Sequence, residues 1–203
     1  MFNNAMRHIM IIIKNPRQML PRLLVLLVAG LFVLSSCALQ DLVTKEAILL
    51  PCPNYHILAD ASVRIKFQPG LGRDLTDVDH SANIENARIS CKSNIDHKTL
   101  SGTMDIDVEM FLTAEKGPVN QRRLAEIPYF ISITNLQKKI LYRESFNIGI
   151  KFPRNKTRIS IVTKPITLEL PIKKKGSGKD YLIYLGLELT ADELEFSRER
   201  VPK

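Results

Sequence analysis

Met104-Asp105-Ile106-Asp107-Val108-Glu109-Met110-Phe111-Leu112-Thr113-Ala114 is the stretch whose reading decides the fold. Met104, Ile106, Val108, Met110, Leu112 and Ala114 occupy every second position, with Asp105, Asp107 and Glu109 between them. Successive side chains of a strand point to opposite faces, so the pattern predicts a strand with one face in a core and an acidic face in water. Gly117-Pro118 ends it.

The same period of two runs outward in both directions. Ile57, Ala59, Ala61, Val63, Ile65 and Phe67 alternate up to Pro69-Gly70, and Val78, Ala82 and Ile84 open the next run. Near Glu85-Asn86 the apolar positions change phase to Ala87, Ile89 and Cys91, as a bulge or a change of strand would require. After the central stretch, Gln121 to Glu126 read as one helical turn or a loop; Ile127, Tyr129, Ile131 and Ile133 then resume the alternation. Ile140, Tyr142, Phe146, Ile148 and Ile150 continue it. Ile159 to Leu170 alternate around Pro165, which cannot donate to a ladder and implies a break or an edge. Tyr181, Ile183, Leu185, Leu187 and Leu189 form the last strand, and Thr190-Ala191-Asp192-Glu193 has the form of a helix cap with an acid three positions on. Leu194 and Phe196 would return that helix to the body. About seven strands, with no long helices alternating between them, predict an all-β fold, an antiparallel immunoglobulin-like β-sandwich with a short C-terminal helix. An open barrel is the rival arrangement.

The N-terminal third reads differently. A basic region, Met1 to Arg22, precedes the apolar run Leu23 to Leu34, and Leu34-Ser35-Ser36-Cys37 closes it. This is the order of a bacterial lipoprotein signal, with small residues fitting a narrow peptidase site and the Cys37 sulfur accepting a diacylglycerol. Twelve apolar residues fall short of the roughly 20 needed for a membrane-spanning helix, although an uncleaved anchor is the competing reading. The expected organisation is a signal peptide at 1–36, a lipid-anchored tether at 37–51 and a β-sandwich domain at 52–203. Four basic residues and no acid precede Cys37, so the formal charge of +8 falls to +4 in the mature chain. That removes most of the compositional case for nucleic-acid binding.

Lipidation of Cys37 leaves Cys52 and Cys91 as a pair, most simply a disulfide in an oxidising periplasm, with two separate buried thiols as the alternative. Such a bond would stabilise by about 4 kcal/mol on the loop-entropy model. The tether Ala38 to Pro51, reaching roughly 45 Å when extended, contains Leu39, Leu42, Val43, Ile48, Leu49 and Leu50. These are too apolar for a solvated linker and would pack on the domain or lie at the membrane surface.

Cys52-Pro53, Ile57-Leu58-Ala59-Asp60-Ala61, Phe67-Gln68-Pro69-Gly70-Leu71-Gly72-Arg73-Asp74-Leu75-Thr76-Asp77-Val78, Ile127-Pro128-Tyr129-Phe130 and Leu189-Thr190-Ala191-Asp192-Glu193-Leu194 together resemble lipoproteins of alphaproteobacteria. No activity is assigned to that group, so the resemblance implies an envelope protein and carries no site residues. Ala38, next to Cys37, is not the aspartate that retains enterobacterial lipoproteins in the inner membrane. By resemblance to that sorting pattern the expected address is the outer membrane, facing the periplasm.

Arg73-Asp74-Leu75-Thr76-Asp77-Val78-Asp79-His80 is rich in oxygen donors, yet its spacing does not match a calcium loop, and a turn with Arg73 pairing locally with a carboxylate accounts for it. His56, His80 and His97 form no close ligand pair, and Gly176-Ser177-Gly178 lies in a lysine-rich loop, unlike a nucleophile elbow. Asp105, Asp107 and Glu109 read as a solvated strand face. Lys173, Lys174, Lys175 and Lys179, on a hairpin tip, would orient an anchored domain toward an anionic surface. The sequence thus predicts no catalytic residues, no metal and no cofactor. Its partners would be membrane lipid through Cys37 and an envelope protein or glycan, and its function that of a binding or scaffolding module. An envelope enzyme and a small-ligand or metal carrier using the Arg73 to His80 loop are the alternatives.

Overall fold

Alternation through the central stretch yields two long strands side by side in a computed structural model of the protein, which describes residues 48–70 and 72–200. The strands are β1 (Asn54–Ile57), β2 (Val63–Phe67), β3 (Val78–Ile95), β4 (Gly102–Lys116), β5 (Leu124–Asn135), β6 (Ile140–Lys151), β7 (Arg158–Val162), β8 (Ile166–Ile172) and β9 (Tyr181–Leu187), followed by helix α1 (Ala191–Arg200). One sheet has the order β1-β9-β5-β6 and the other β2-β3-β4, with β7 and β8 both pairing β4 in succession. Among the described residues only the β1–β9 pair is parallel. The fold is a β-sandwich, mostly strand with one short C-terminal helix. The lipoprotein box Leu34, Ser35, Ser36 and Cys37 lies outside the described residues.

Met104, Ile106, Val108, Met110, Leu112 and Ala114 are all buried, against Ile127, Ile131, Ile133, Ile183, Leu185 and Leu187 of the facing sheet. Burying such side chains contributes about 1.5–3 kcal/mol each, which is why strict alternation fixes the register. The change of phase in β3 is a bulge: the ladder with β4 shifts between Ile84 and Asn86.

Nine strands replace the expected seven for two physical reasons. Ala59–Ala61 is a 3-10 turn that splits the first run, sending β1 to one sheet and β2 to the other. Pro165 breaks the later run into β7 and β8. Within β2 the phase is also the reverse of that expected: Arg64 pairs with core-facing Ala82, so Arg64 and Lys66 face inward and Val63 and Ile65 outward. Gln121 to Glu126 contain no helical turn, and β5 starts at Leu124. Lys173 to Lys179 are not a hairpin tip, because β8 and β9 belong to different sheets; the loop crosses from one to the other.

Cys52 and Cys91 form a disulfide with Cα atoms 5.8 Å apart. It joins the segment leading into β1 of one sheet to the inner side of β3 in the other. The end of the tether packs on the domain: Leu50 N donates to Ser93 Oγ at 3.3 Å, Ser93 Oγ donates to Ile48 O at 2.9 Å, and Leu50 rests on the core while Leu49 is 88% exposed. Both sheets, the core and the disulfide lie within one compact unit, Ala47–Lys203.

Candidate functional site

Asp74 begins the region that shapes the site. Its side chain accepts from Leu75 N, and Asp77 Oδ2 accepts from Asp74 N at 3.2 Å, a capping box around the 3-10 turn Leu75–Asp77. Asp77 Oδ1 also accepts from Gln68 Nε2 at 2.8 Å. These carboxylates hold a turn. Among the described residues no group of three or more His, Cys, Asp or Glu side chains is placed to hold a metal. Arg73 does not pair with a local carboxylate: its guanidinium donates to the neighbouring Gly70 O and Gly72 O and, across 119 positions, to Asp192 of α1. Local spacing misled because α1 folds back onto β2, where Phe196 meets Phe67 edge to face at 5.1 Å.

The turn delivers Asp79 and His80 at the start of β3. His80 is 5% exposed, and its Nδ1 lies 2.6 Å from Asp79 Oδ2. The Asp79 carboxylate accepts from Nδ1, which leaves Nε2 as the second polar atom of the ring. Nε2 is buried and has no hydrogen-bond partner among the described residues. His80 is also one of the residues lining a cavity of about 730 Å³, with Lys66, Gln68, Arg122, Glu126 and Asn147 as polar walls and Pro69 and Pro128 as flat apolar ones. Below sits a buried ion pair: Arg64 Nε and Nη2 donate to Glu193 Oε2 and Oε1 at 3.1 and 3.2 Å, and Nη1 donates to Glu126 O. Glu193 also accepts from Thr190 N, so the helix cap foreseen in the sequence doubles as the counter-ion of β2. Arg64 escaped the sequence reading because it alternates with Val63 and Ile65 as a solvated residue would. His80 was weighed as a zinc ligand and as the end of the Arg73 to His80 loop of a small-ligand or metal carrier; its signal was the adjacent aspartate.

At the opposite flank, β6 and β8 border an apolar cleft of about 490 Å³ lined by Ile133, Tyr142, Leu168, Leu170, Lys173 and Tyr181 among others. β6 is an edge strand of 12 residues, and its expected inward residues Ile140 and Tyr142 are 59% and 39% exposed, because its first half runs past the core. The Tyr142 phenol donates to Glu144, which raises its pKa above the ordinary 10.0, while burial and then the Asp180 charge raise that of Tyr181.

The remaining sequence candidates are scattered. His56 stacks on Tyr184 at 5.6 Å, and His97 is exposed in the β3–β4 turn. Glu109 accepts from Arg88 Nε at 2.7 Å, and Asp107 from Thr167 Oγ1 at 2.6 Å. Lys173, Lys174, Lys175 and Lys179 are all exposed. Gly178 is buried where a Cβ would lie 2.4 Å from Pro51 O, so the lysine loop rests against the segment that leads into β1.

The class these observations define is a β-sandwich with a polar histidine cavity at one end. No family model, curated protein or solved structure shows a significant match to the chain.

Proposed function

We propose that the chain is an envelope lipoprotein, acylated at Cys37, whose immunoglobulin-like sandwich is a non-catalytic module that binds a hydroxyl-bearing ligand of glycan type in the His80 cavity. The unpartnered Nε2 of His80 is the observation that carries this reading. A buried polar atom left unmade costs about 1–3 kcal/mol, so a turn of the ring that brings Nε2 to a hydroxyl in the cavity would recover that cost on binding. Amide, carboxylate and guanidinium groups of Gln68, Asn147, Glu126 and Arg122 suit several hydroxyls, and none of the cavity-lining residues is a Ser, Thr or Cys that His80 would activate. Lipidation rests on the Leu34-Ser35-Ser36-Cys37 pattern and would place the domain in the periplasm, on the outer membrane by the Ala38 argument.

Nitrogen NMR of the imidazoles tests the ligand reading, with a peptidoglycan disaccharide as probe. His80 Nε2 is expected to shift on titration in the wild type and the affinity to vanish in His80→Phe. An Nε2 resonance that stays put at saturating disaccharide would defeat the assignment to glycan.

A second reading has its own observation: among the described residues β6 pairs on one side only, so its outer backbone groups could take a partner strand beside the apolar cleft. A photo-crosslinking residue at Arg143, compared in cells with one at Arg122, separates the two; adducts from position 143 alone would favour strand addition.

A further inference from the structure

We infer that the end of the sandwich opposite the His80 cavity docks on an anionic phospholipid bilayer, holding the cavity away from the membrane. Strand register assembles this end from three loops. Ile95 pairs with Gly102, so the β3–β4 turn lies there; Gly102 pairs with Ile172, which puts Lys173 beside it; and Asn135 pairs with Tyr181, which adds the β5–β6 turn. Tyr181 Oη donates to Pro171 O at 2.5 Å and closes the gap between the sheets.

Each loop presents lysine. Lys98 stands on the first; Lys138 and Lys139 on the second; Lys173, Lys174, Lys175 and Lys179 on the third. All are exposed, and none is in an ion pair among the described residues. The acids nearby are engaged: Asp96 Oδ1 accepts from Lys98 N and Thr99 N, and Asp180 Oδ2 from Ser177 N. Leu100 and Leu136, 45% and 55% exposed, project among the lysines, the pairing of apolar tip and cation that an interfacial surface requires.

Backbone conformation points the same way. Among the described residues four non-glycine residues have positive φ, and three of them, Leu100 (55°), Lys138 (62°) and Lys175 (62°), sit one in each of these loops. Glycine would adopt that conformation without strain, yet each position keeps a leucine or a lysine. The same end receives the chain at Ile48–Pro53, so an anchor upstream would deliver the surface to a bilayer. The docking itself needs only the charge of this end and does not depend on acylation of Cys37.

Each lysine near an anionic leaflet raises partitioning about fivefold. The test is co-sedimentation of unlipidated Ala47–Lys203 with vesicles of phosphatidylglycerol and phosphatidylethanolamine, against phosphatidylcholine alone. Expected are binding to the anionic vesicles only, weakening with salt as the Debye length contracts, and a loss of about a hundredfold in K173Q/K174Q/K175Q. K138Q/K139Q provides an independent variant with a loss of about 25-fold. K151Q/R154Q/K156Q at the other end is expected to bind as wild type does. Equal binding by all variants, equal binding to phosphatidylcholine, or retention on a soluble polyanion such as heparin without vesicle binding would each overturn the inference.

Discussion

The two ends of the sandwich carry cations in different ways. Around the His80 cavity Arg64 is matched by Glu193, Arg73 by Asp192 and two carbonyls, and Arg123 by Phe152 O and Lys156 O. At the other end the charge is lysine, exposed and without ion-pair partners among the described residues. His80 and Ile95 stand at the two ends of β3, about 50 Å apart along the strand. The difference teaches that the guanidinium forks of Arg64, Arg73 and Arg123 are spent on building a shape, while the lysine point charges of the other end remain available to a diffuse anionic surface.

The largest test of this contrast is to remove what holds each end. Replacing Cys52 and Cys91 by serine is expected to cost about 4 kcal/mol in chemical denaturation, felt first where the chain joins the lysine end. At the cavity end, Glu193→Ala leaves Arg64 buried beside no carboxylate and is expected to cost about 3 kcal/mol, with release of α1 from β2 visible as loss of hydrogen-exchange protection. Should the two variants prove equally mild, the ends would be less distinct than their bonding indicates. His80→Phe removes the orphaned Nε2 but also the Nδ1 bond to the Asp79 carboxylate, and is expected to cost about 1–2 kcal/mol net. Smaller still, Leu100→Gly and Lys175→Gly are each expected to stabilise by a few tenths of a kcal/mol, up to about 1 kcal/mol, as left-handed strain is relieved against added unfolded-state entropy. A thermal shift downward instead would show that those side chains pack. Last, Glu144→Gln should bring the Tyr142 phenol back toward its ordinary pKa of 10.0, since the hydrogen bond to Glu144 is the main cause of its rise; phenolate absorbance reads this directly.

Legibility followed periodicity. From Met104 to Ala114 and from Ile127 to Ile133, residues that alternate in sequence are buried in the fold, and the bulge in β3 was visible as a change of phase. Alternation has no term for what covers a strand from outside its sheet, which is why β2 was read in reverse: α1 supplies Glu193 to Arg64, so a charged residue is the buried one. Pairing across 129 positions leaves no local trace. The same limit hid the cavity, whose walls come from β2, β3, β5 and β6, whereas the lysines of the crossing loop were legible as a run and only their company from the other two loops was not.

The Cys52–Cys91 bond also sets the path that tension takes through the molecule. A pull on the chain ahead of Ile48 meets this bond two residues before β1, a four-residue strand held by parallel pairing to β9. Force therefore passes into β3, which is laced to β4 nearly from end to end, and the short strand is spared from being unzipped. In single-molecule pulling from the N-terminal side, the oxidised domain should resist until β3 itself is torn from its sheet, and the reduced domain should first shed β1 at low force.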